Sequence, residues 1–258
     1  MNHRAVVIAG GNSVQLAKKV AKRLRASFTP LHVSRFPDGE SSVRIQVNVE
    51  GKAVIIINAL YPQANEALMD TALAIDAAKH AGALSVNVVV PYLAYMRQDK
   101  VFNRGESLSA GVMARVLDDA DRVIAVDPHL HRIHQLGDLF KTRAESMTAN
   151  GALASYVQKH YRNSIIVGPD AESYQWARAI AEQVGLQSAI LTKTRFSSTR
   201  VAVKLHGHVS IKGRHVVIVD DVLSTGHTVA EAAKLARRLG AKRVSCVTVH
   251  GLYVDDAV

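Results

Sequence analysis

The stretch VVIVDDVLSTGHT, residues 216–228, joins a buried-strand pattern to a turn that is rich in hydroxyl groups and glycine. Four β-branched apolar residues lead directly into Asp220 and Asp221, and a helix pattern follows from Val229 to about Leu239. Backbone N–H groups at the start of such a helix can bind a phosphate. The two carboxylates can accept hydrogen bonds from vicinal hydroxyls or hold water on Mg²⁺. The stretch predicts a sugar-phosphate site; the alternative is an ordinary strand–turn–helix with acids at the strand end.

The same alternation of strand and helix patterns extends along the chain and predicts an α/β fold with mainly parallel sheets flanked by helices. Apolar, β-branched runs lie at 5–9, 53–58, 85–91, 122–127, 164–168, 187–191, 215–220 and 243–249. Helical patterns lie at 13–25, 65–81, 107–119, 173–185 and 228–239. A more polar segment near 28–50 alternates in character and predicts an antiparallel pair or flap.

A weak internal echo favours two similar domains. Residues 77–90 and 234–249 both have the pattern of a helix end, a Gly-Ala turn and a buried strand. Such repetition is a sign of duplicated domains, although this combination is also common in α/β proteins in general. The polar stretch 141–150 lies between the halves, so we predict domains over residues 1–146 and 147–258.

Composition excludes several classes of protein. With 258 residues, 48% hydrophobic and 21% charged, the chain is typical of a soluble globular protein. No apolar run approaches the roughly 18 residues of a membrane span, and the first apolar run is too short for a signal peptide. The single cysteine, Cys246, excludes an intrachain disulfide and favours the cytoplasm. The net charge of +10 is compatible with nucleic acid or with a polyanionic small molecule such as a nucleotide, and it does not decide between them. No long basic block indicates nucleic acid.

Polar residues follow other predicted strands, at the ends where α/β proteins bind ligands. After the strand at 85–91, Arg97 and Gln98 can clamp a nucleotide, or they form part of a charged surface loop. His129 closes the strand at 122–127 and can bind a divalent ion. Neighbouring histidines at 131 and 134 do not give a zinc-site spacing.

Two further strand ends carry charged groups. Asp170 follows the strand at 164–168, where a carboxylate can take Mg²⁺ or its waters. Lys193 and Arg195 follow the apolar run at 187–191 and are spaced to neutralise phosphoryl charge from a mobile loop. A solvated hairpin explains this last segment equally well.

Taken together and in order, these segments resemble the ribose-phosphate pyrophosphokinase family. The resemblance covers nearly the whole chain, and residues 102–109 look closer to the shorter, archaeal-like members. It rests on Gly11-Asn12-Ser13, RFPDGE at 35–40, PYLAYMRQD at 91–99, Asp127-Pro128-His129, Pro169-Asp170, Lys193-Thr194-Arg195 and the stretch at 216–228.

This resemblance implies two phosphoribosyltransferase-like domains, with ATP on the side of 1–146 and the ribose phosphate on the side of 147–258. The implied reaction depends on Mg²⁺ and is mainly a matter of positioning and charge stabilisation. The 1-hydroxyl of ribose 5-phosphate attacks the β-phosphorus of ATP, giving phosphoribosyl pyrophosphate and AMP. The implied partners are these small-molecule substrates and further copies of the chain in a dimer or larger homo-oligomer, with no nucleic acid and no membrane.

The resemblance also assigns roles to residues of this sequence. It implies that Lys193 and Arg195 are catalytic and that His129 and Asp170 bind metal. The ATP-binding residues that it implies are Phe36, Asp38, Glu40, Arg97 and Gln98. The ribose-phosphate residues that it implies are Asp220, Asp221, Ser224, Thr225, Gly226 and Thr228.

Several departures from the family pattern surround the sugar-phosphate loop. Ser224 stands where the family usually has a third Asp, and His227 stands where it has a second Gly. A side chain at 227 restricts the backbone if φ must be positive there. Glu172 and Ser173 replace a small Gly-Gly or Gly-Ala pair, and the chain ends at Val258, where the family continues for roughly one strand and a helix.

These departures leave alternatives open. The acceptor can be a larger ribosyl 5-phosphate ester such as ADP-ribose, or the chain can be a catalytically silent regulatory paralogue. Retention of Lys193, Arg195 and the acidic residues argues against the silent paralogue. A phosphoribosyltransferase shares the loop at 216–228 but does not need the segment at 91–99.

Overall fold

The structure is a computed structural model that describes residues 4–171, 173–195, 201–206 and 209–254, without the side chains of 192–195 and 201–206. The chain divides into two compact units, Met1–Met147 and Thr148–Val258. This division lies next to the boundary that the sequence predicts. Each unit is an α/β sandwich with its own sheet, and the prediction of mainly parallel sheets flanked by helices is confirmed.

The first unit is built on a six-stranded sheet in the order β2-β1-β5-β6-β7-β8, and all neighbouring strands are parallel. Its strands are β1 (Ala5–Ala9), β2 (Ser27–Pro30), β5 (Ala53–Ile57), β6 (Ser85–Val90), β7 (Arg122–Val126) and β8 (Arg143–Met147). The helices are α1 (Val14–Leu24), α2 (Ala64–His80) and α3 (Ser109–Leu117). Alternate residues of β1 enter opposite cores: Val6 and Ile8 pack on the face of α2 and α3, and Val7 and Ala9 on the face of α1.

The polar segment that predicts a flap forms an antiparallel hairpin of β3 (His32–Arg35) and β4 (Ser41–Arg44). Its turn closes with hydrogen bonds from the Phe36 N–H to the Glu40 carbonyl and from the Gly39 N–H to the Phe36 carbonyl. Gly39 has a φ of +94°, a conformation that glycine adopts at little cost.

The second unit is built on a five-stranded sheet in the order β11-β10-β9-β12-β13. Its strands are β9 (Ser164–Gly168), β10 (Gln187–Arg195), β11 (Val201–His206), β12 (His215–Leu223) and β13 (Arg243–Gly251). Its helices are α4 (Asn150–His160), α5 (Tyr174–Val184) and α6 (His227–Arg238). All neighbouring strands are parallel except β10 and β11, which form an antiparallel pair.

The central strand β12 is longer than its neighbour β9, and this difference leaves the acidic pair beyond the end of β9. The last residue pair between β12 and β9 is Ile218 with Val167, whereas β12 and β13 stay paired as far as Leu223 with Gly251. Asp220 and Asp221 therefore lie inside β12, beyond the end of β9. The sequence-based expectation that the acids end the strand was wrong by a few residues, because pairing with β13 continues after them.

Candidate functional site

The two carboxylates of β12 are buried and hydrogen-bonded. Asp220 is 7% exposed, and its Oδ1 accepts hydrogen bonds from the Ser173 hydroxyl at 2.7 Å and from the Asp221 N–H at 3.0 Å. The Asp221 Oδ1 accepts a bond from the Val222 N–H at 2.8 Å. Burial raises the pKa of Asp220 to about 7, and the nearby Asp221 and Asp170 carboxylates add to the increase, while the Ser173 hydroxyl opposes it. This cluster suits polar or positively polarised groups, such as sugar hydroxyls.

The turn after β12 has the geometry of a phosphate cradle. Gly226 has a φ of +73° and precedes α6, which begins at His227. The first N–H groups of a helix have no partner within that helix, so they can donate to an anion. Thr225, His227 and Thr228 are exposed around this helix start. The turn is braced from the end of the chain, where the Val254 N–H donates to the Ser224 carbonyl at 3.1 Å.

The side chain of His227 would restrict the backbone only if residue 227 had a positive φ. Positive φ falls on Gly226, whereas His227 is the first residue of a regular helix. The side chain at 227 therefore causes no backbone strain.

Asp170 lies in a tight turn between β9 and α5. Its Oδ1 accepts a hydrogen bond from the Ser173 N–H at 2.8 Å. The turn comes so close to the end of β9 that a Cβ on Gly168 would lie 2.8 Å from the Tyr174 Cα. Ser173 thus contacts Asp170 through its backbone and Asp220 through its side chain, and it brings two of the predicted site residues together.

In the first unit, the loop after β6 carries the predicted nucleotide clamp. The Gln98 Oε1 accepts a hydrogen bond from the Ser109 hydroxyl at 2.7 Å, at the start of α3. Arg97 is exposed. Asp99 has a buried side chain, and the Arg132 guanidinium and backbone N–H donate to its two oxygens at 2.8 and 3.0 Å. The bonds from Arg132 hold the pKa of Asp99 below its usual value, in spite of an opposing effect of burial.

The Asp99–Arg132 pair connects this loop to the one that carries His129. His129 is half-buried and follows β7, after Asp127, which has a φ of +37°. The Asp127 N–H donates to the Met147 carbonyl at 2.8 Å. The structure therefore joins the segment of Arg97 and Gln98 to the segment of His129 within one unit.

The predicted adenine contacts lie on the hairpin turn. Phe36 is 54% exposed, and Asp38 and Glu40 are exposed beside it. Arg35, which precedes them, forms a bidentate ion pair with Asp70 of α2 at 3.0 and 2.9 Å. This pair anchors the turn end of the hairpin on α2 of the first unit.

The side chains of three residues from the sequence analysis lie outside the described part of the structure. Glu172 lies outside the described residues. The backbones of Lys193 and Arg195 belong to β10 and pair with Val203 and Val201, but their side chains lie outside the described part of the structure.

Sequence reasoning did not identify the supporting contacts. The sequence marks Ser173 only as a departure from a family pattern, and it predicts no role for Asp99. Arg132, Ser109 and Asp70 were not singled out. Their partners are distant in sequence, so no local pattern reveals them.

The described donor groups fit Mg²⁺ only in part. Within the described residues, no group of three or more His, Cys, Asp and Glu side chains is placed to hold a metal ion. Mg²⁺ usually takes one or two carboxylates and completes its coordination with water and substrate phosphates. Asp170 fits this role, because the bond from Ser173 uses one carboxylate oxygen and leaves the other. The imidazole of His129 is a less typical ligand for this ion.

Comparison with known proteins shows similarity to ribose-phosphate pyrophosphokinases along nearly the whole chain. Residues 5–121 match the model of the N-terminal domain of ribose phosphate pyrophosphokinase, and residues 135–255 match a phosphoribosyl transferase domain. The ribose-phosphate pyrophosphokinase of Methanopyrus kandleri is 34% identical over 98% of this chain and 86% of its own length. The chain belongs to the ribose-phosphate pyrophosphokinase family.

Other members of the family agree. Ribose-phosphate pyrophosphokinase 1 of Archaeoglobus fulgidus is also 34% identical, over 98% of this chain and 87% of its own length. The crystal structure of phosphoribosylpyrophosphate synthetase from Mycobacterium smegmatis superposes with a TM-score of 0.85 at 31% identity, covering 98% of this chain and 83% of that one. The archaeal relatives agree with the resemblance to shorter, archaeal-like pyrophosphokinases. No helix among the described residues is long and apolar enough to span a membrane.

Proposed function

We propose that this chain is an ATP-dependent ribose-phosphate diphosphokinase. It transfers the diphosphoryl group of ATP to the 1-hydroxyl of ribose 5-phosphate and releases phosphoribosyl pyrophosphate and AMP. The observation that carries the proposal is the β12–α6 segment, where the buried Asp220–Asp221 pair precedes a Gly226-capped helix start. Membership of the pyrophosphokinase family supports the same reaction.

The proposal gives each group of residues a role. Asp220 and Asp221 accept hydrogen bonds from the ribose hydroxyls, and the turn of Ser224, Thr225, Gly226 and Thr228 holds the 5-phosphate through N–H and O–H donors. Arg97 and Gln98 hold the nucleotide, and Phe36, Asp38 and Glu40 contact its adenine. Lys193 and Arg195 stabilise charge on the diphosphoryl group during transfer.

Mg²⁺ is the proposed cofactor, and it supplies charge neutralisation to the phosphates when bound. Asp170 is the better supported protein ligand, because Mg²⁺ prefers carboxylate oxygens to imidazole nitrogens. His129 is the second proposed ligand. We further propose a homo-oligomer that uses only small-molecule substrates, which light scattering can test. We propose that the protein acts in the cytoplasm, and its single cysteine is compatible with that reducing compartment.

One assay tests the reaction. The protein is incubated with ATP, Mg²⁺ and either ribose 5-phosphate or ADP-ribose, and AMP is followed by chromatography. We expect AMP with ribose 5-phosphate. AMP only with ADP-ribose would transfer the assignment to a larger acceptor, and no AMP with either would indicate a silent paralogue.

A further inference from the structure

Ser173 lies where the chain leaves the Asp170 turn and enters α5, and it is 4% exposed. Its hydroxyl donates to the Asp220 Oδ1 at 2.7 Å. The geometry points to Ser173 as a positioning residue for the sugar acceptor: it holds the Asp220 carboxylate in one orientation for a ribose hydroxyl. This inference rests on the proposed function, because it assumes that Asp220 binds the ribose.

Two donors fix the orientation of the Asp220 carboxylate. The Ser173 hydroxyl and the Asp221 N–H both reach Oδ1, at 2.7 and 3.0 Å. A carboxylate held by two donors on one oxygen cannot rotate about its Cβ–Cγ bond without losing both bonds. Hydrogen bonds in a buried, low-dielectric site are stronger than those in water, so this arrangement resists rotation.

Ser173 is itself held in place by the fold. Its N–H donates to the Asp170 Oδ1 at 2.8 Å, and the missing side chain of Gly168 lets the start of α5 approach the end of β9. The contact with Asp220 crosses from this turn to the neighbouring strand. Removal of the hydroxyl would delete the bond to Asp220 and keep the backbone bond to Asp170.

The contact depends on the side chain that this sequence has at position 173. A Gly or Ala at this position would carry no hydroxyl to donate. In this chain the serine hydroxyl donates directly to the buried carboxylate of Asp220. Ser173 therefore makes the acceptor side of this site more rigid.

The test compares Ser173→Ala, Ser173→Thr and a matched control, Ser164→Ala. Ser164 is also a buried serine of the second unit, and its hydroxyl donates to the Tyr161 carbonyl at 2.7 Å, at the start of β9. KM and kcat are measured for both substrates. The Kd of ribose 5-phosphate is measured by calorimetry with Mg²⁺ and α,β-methylene-ATP, which cannot transfer its diphosphoryl group.

We expect Ser173→Ala to raise the KM and Kd for ribose 5-phosphate up to about tenfold, as for loss of one buried hydrogen bond. The KM for ATP should change less than about twofold, because the substitution keeps the backbone bond from residue 173 to Asp170. Ser173→Thr should retain most of the affinity, and Ser164→Ala should leave both KM values unchanged. An unchanged KM for ribose 5-phosphate in Ser173→Ala, or a parallel rise in the KM for ATP, would overturn the role.

A double-mutant cycle keeps the test decisive if the alanine variant is also destabilised. In an Asp220→Ala background, where no side-chain oxygen remains to accept the bond, loss of the Ser173 hydroxyl should change the Kd of ribose 5-phosphate less than about twofold. An equal loss in both backgrounds would mean that Ser173 does not act through Asp220. Absence of AMP release by the unchanged protein would instead reject the proposed function, so the two failures are distinguishable.

Discussion

At the scale of single residues, the second unit depends on one glycine where β9 meets the Asp170 turn. A Cβ on Gly168 would lie 2.8 Å from the Tyr174 Cα and 3.0 Å from the Tyr174 nitrogen. Both atoms are backbone, so they cannot move aside without shifting the start of α5. Shape and close approach, rather than an unusual φ, require glycine at this position.

We therefore expect Gly168→Ala to lower the free energy of unfolding by about 1–3 kcal/mol, the usual cost of overpacking. Urea unfolding followed by Trp176 fluorescence measures this change. Gly151→Ala is the matched control: Gly151 lies in α4 with nothing within 4 Å of an added Cβ. That substitution should be neutral or stabilising by about 0.5–1 kcal/mol. Equal effects of the two substitutions would contradict the steric argument.

The catalytic role proposed for Lys193 gives a second prediction at this scale. Loss of a side chain that stabilises transition-state charge usually lowers kcat by roughly 100–1,000-fold. Lys193→Ala should show such a loss and still bind ATP with near-normal affinity, as measured by calorimetry. Lys159→Ala, which removes an exposed lysine of α4, is the control. Near-normal turnover of Lys193→Ala would remove Lys193 from the mechanism.

The sequence predicted the charged and phosphate-binding residues of the second unit better than it predicted their supports. Asp220, Asp221 and the turn at 224–228 stand together in one local pattern, so their neighbourhood can be inferred from the order of residues. The bond between Ser173 and Asp220 joins residues 47 positions apart. It depends on how the Asp170 turn packs beside β12, and this packing has no signature in either segment.

At the scale of helices and strands, apolar strands were predictable and polar edge strands were not. The buried runs of β1, β9 and β12 were located within a few residues of their observed bounds. The strand β8, with sequence RAESM, was interpreted as a polar boundary. It pairs only with β7 among the described strands, so it needs little apolar surface.

The stability of the β3–β4 hairpin can be tested by breaking its ion pair with α2. Its anchor is the bidentate pair of Arg35 with Asp70, whose carboxylate is largely buried. Asp70→Asn should loosen the hairpin, because an amide cannot accept two bonds from one guanidinium. Hydrogen exchange of the amides of β3 and β4 should become faster, with little change in β1 and β5.

The control for this prediction is Glu182→Gln, which breaks the exposed Arg178–Glu182 pair on α5. An exposed pair one helical turn apart contributes little to stability. Exchange in the hairpin should be unaffected by it. Unchanged hairpin exchange in Asp70→Asn would mean that packing of β4 on α2, rather than the ion pair, holds the hairpin.

At the scale of the whole molecule, each buried core cluster lies within one of the two units. Leu117 belongs to a cluster of the first unit, and Ile180 belongs to a cluster of the second. The single tryptophan, Trp176, lies on α5, so its fluorescence reports on the second unit. The two units can therefore be followed separately during unfolding.

We expect Ile180→Ala to cost about 2–5 kcal/mol and to lower the denaturant midpoint of Trp176 fluorescence. Leu117→Ala should have a similar cost, seen in the far-ultraviolet circular dichroism, and it should leave the Trp176 midpoint nearly unchanged. A joint shift of both signals in each variant would mean that the units unfold as one cooperative body.

The position of Gly226 has a consequence for the evolution of this loop. The left-handed backbone conformation lies entirely on Gly226, and His227 begins a regular helix at the mouth of the phosphate cradle. Selection can therefore vary the side chain at 227 without a backbone penalty, but it has to preserve glycine at 226. A saturation library at these two adjacent codons should show the contrast directly. Position 227 is therefore a place where the side chain beside the start of α6 can change without strain in the backbone.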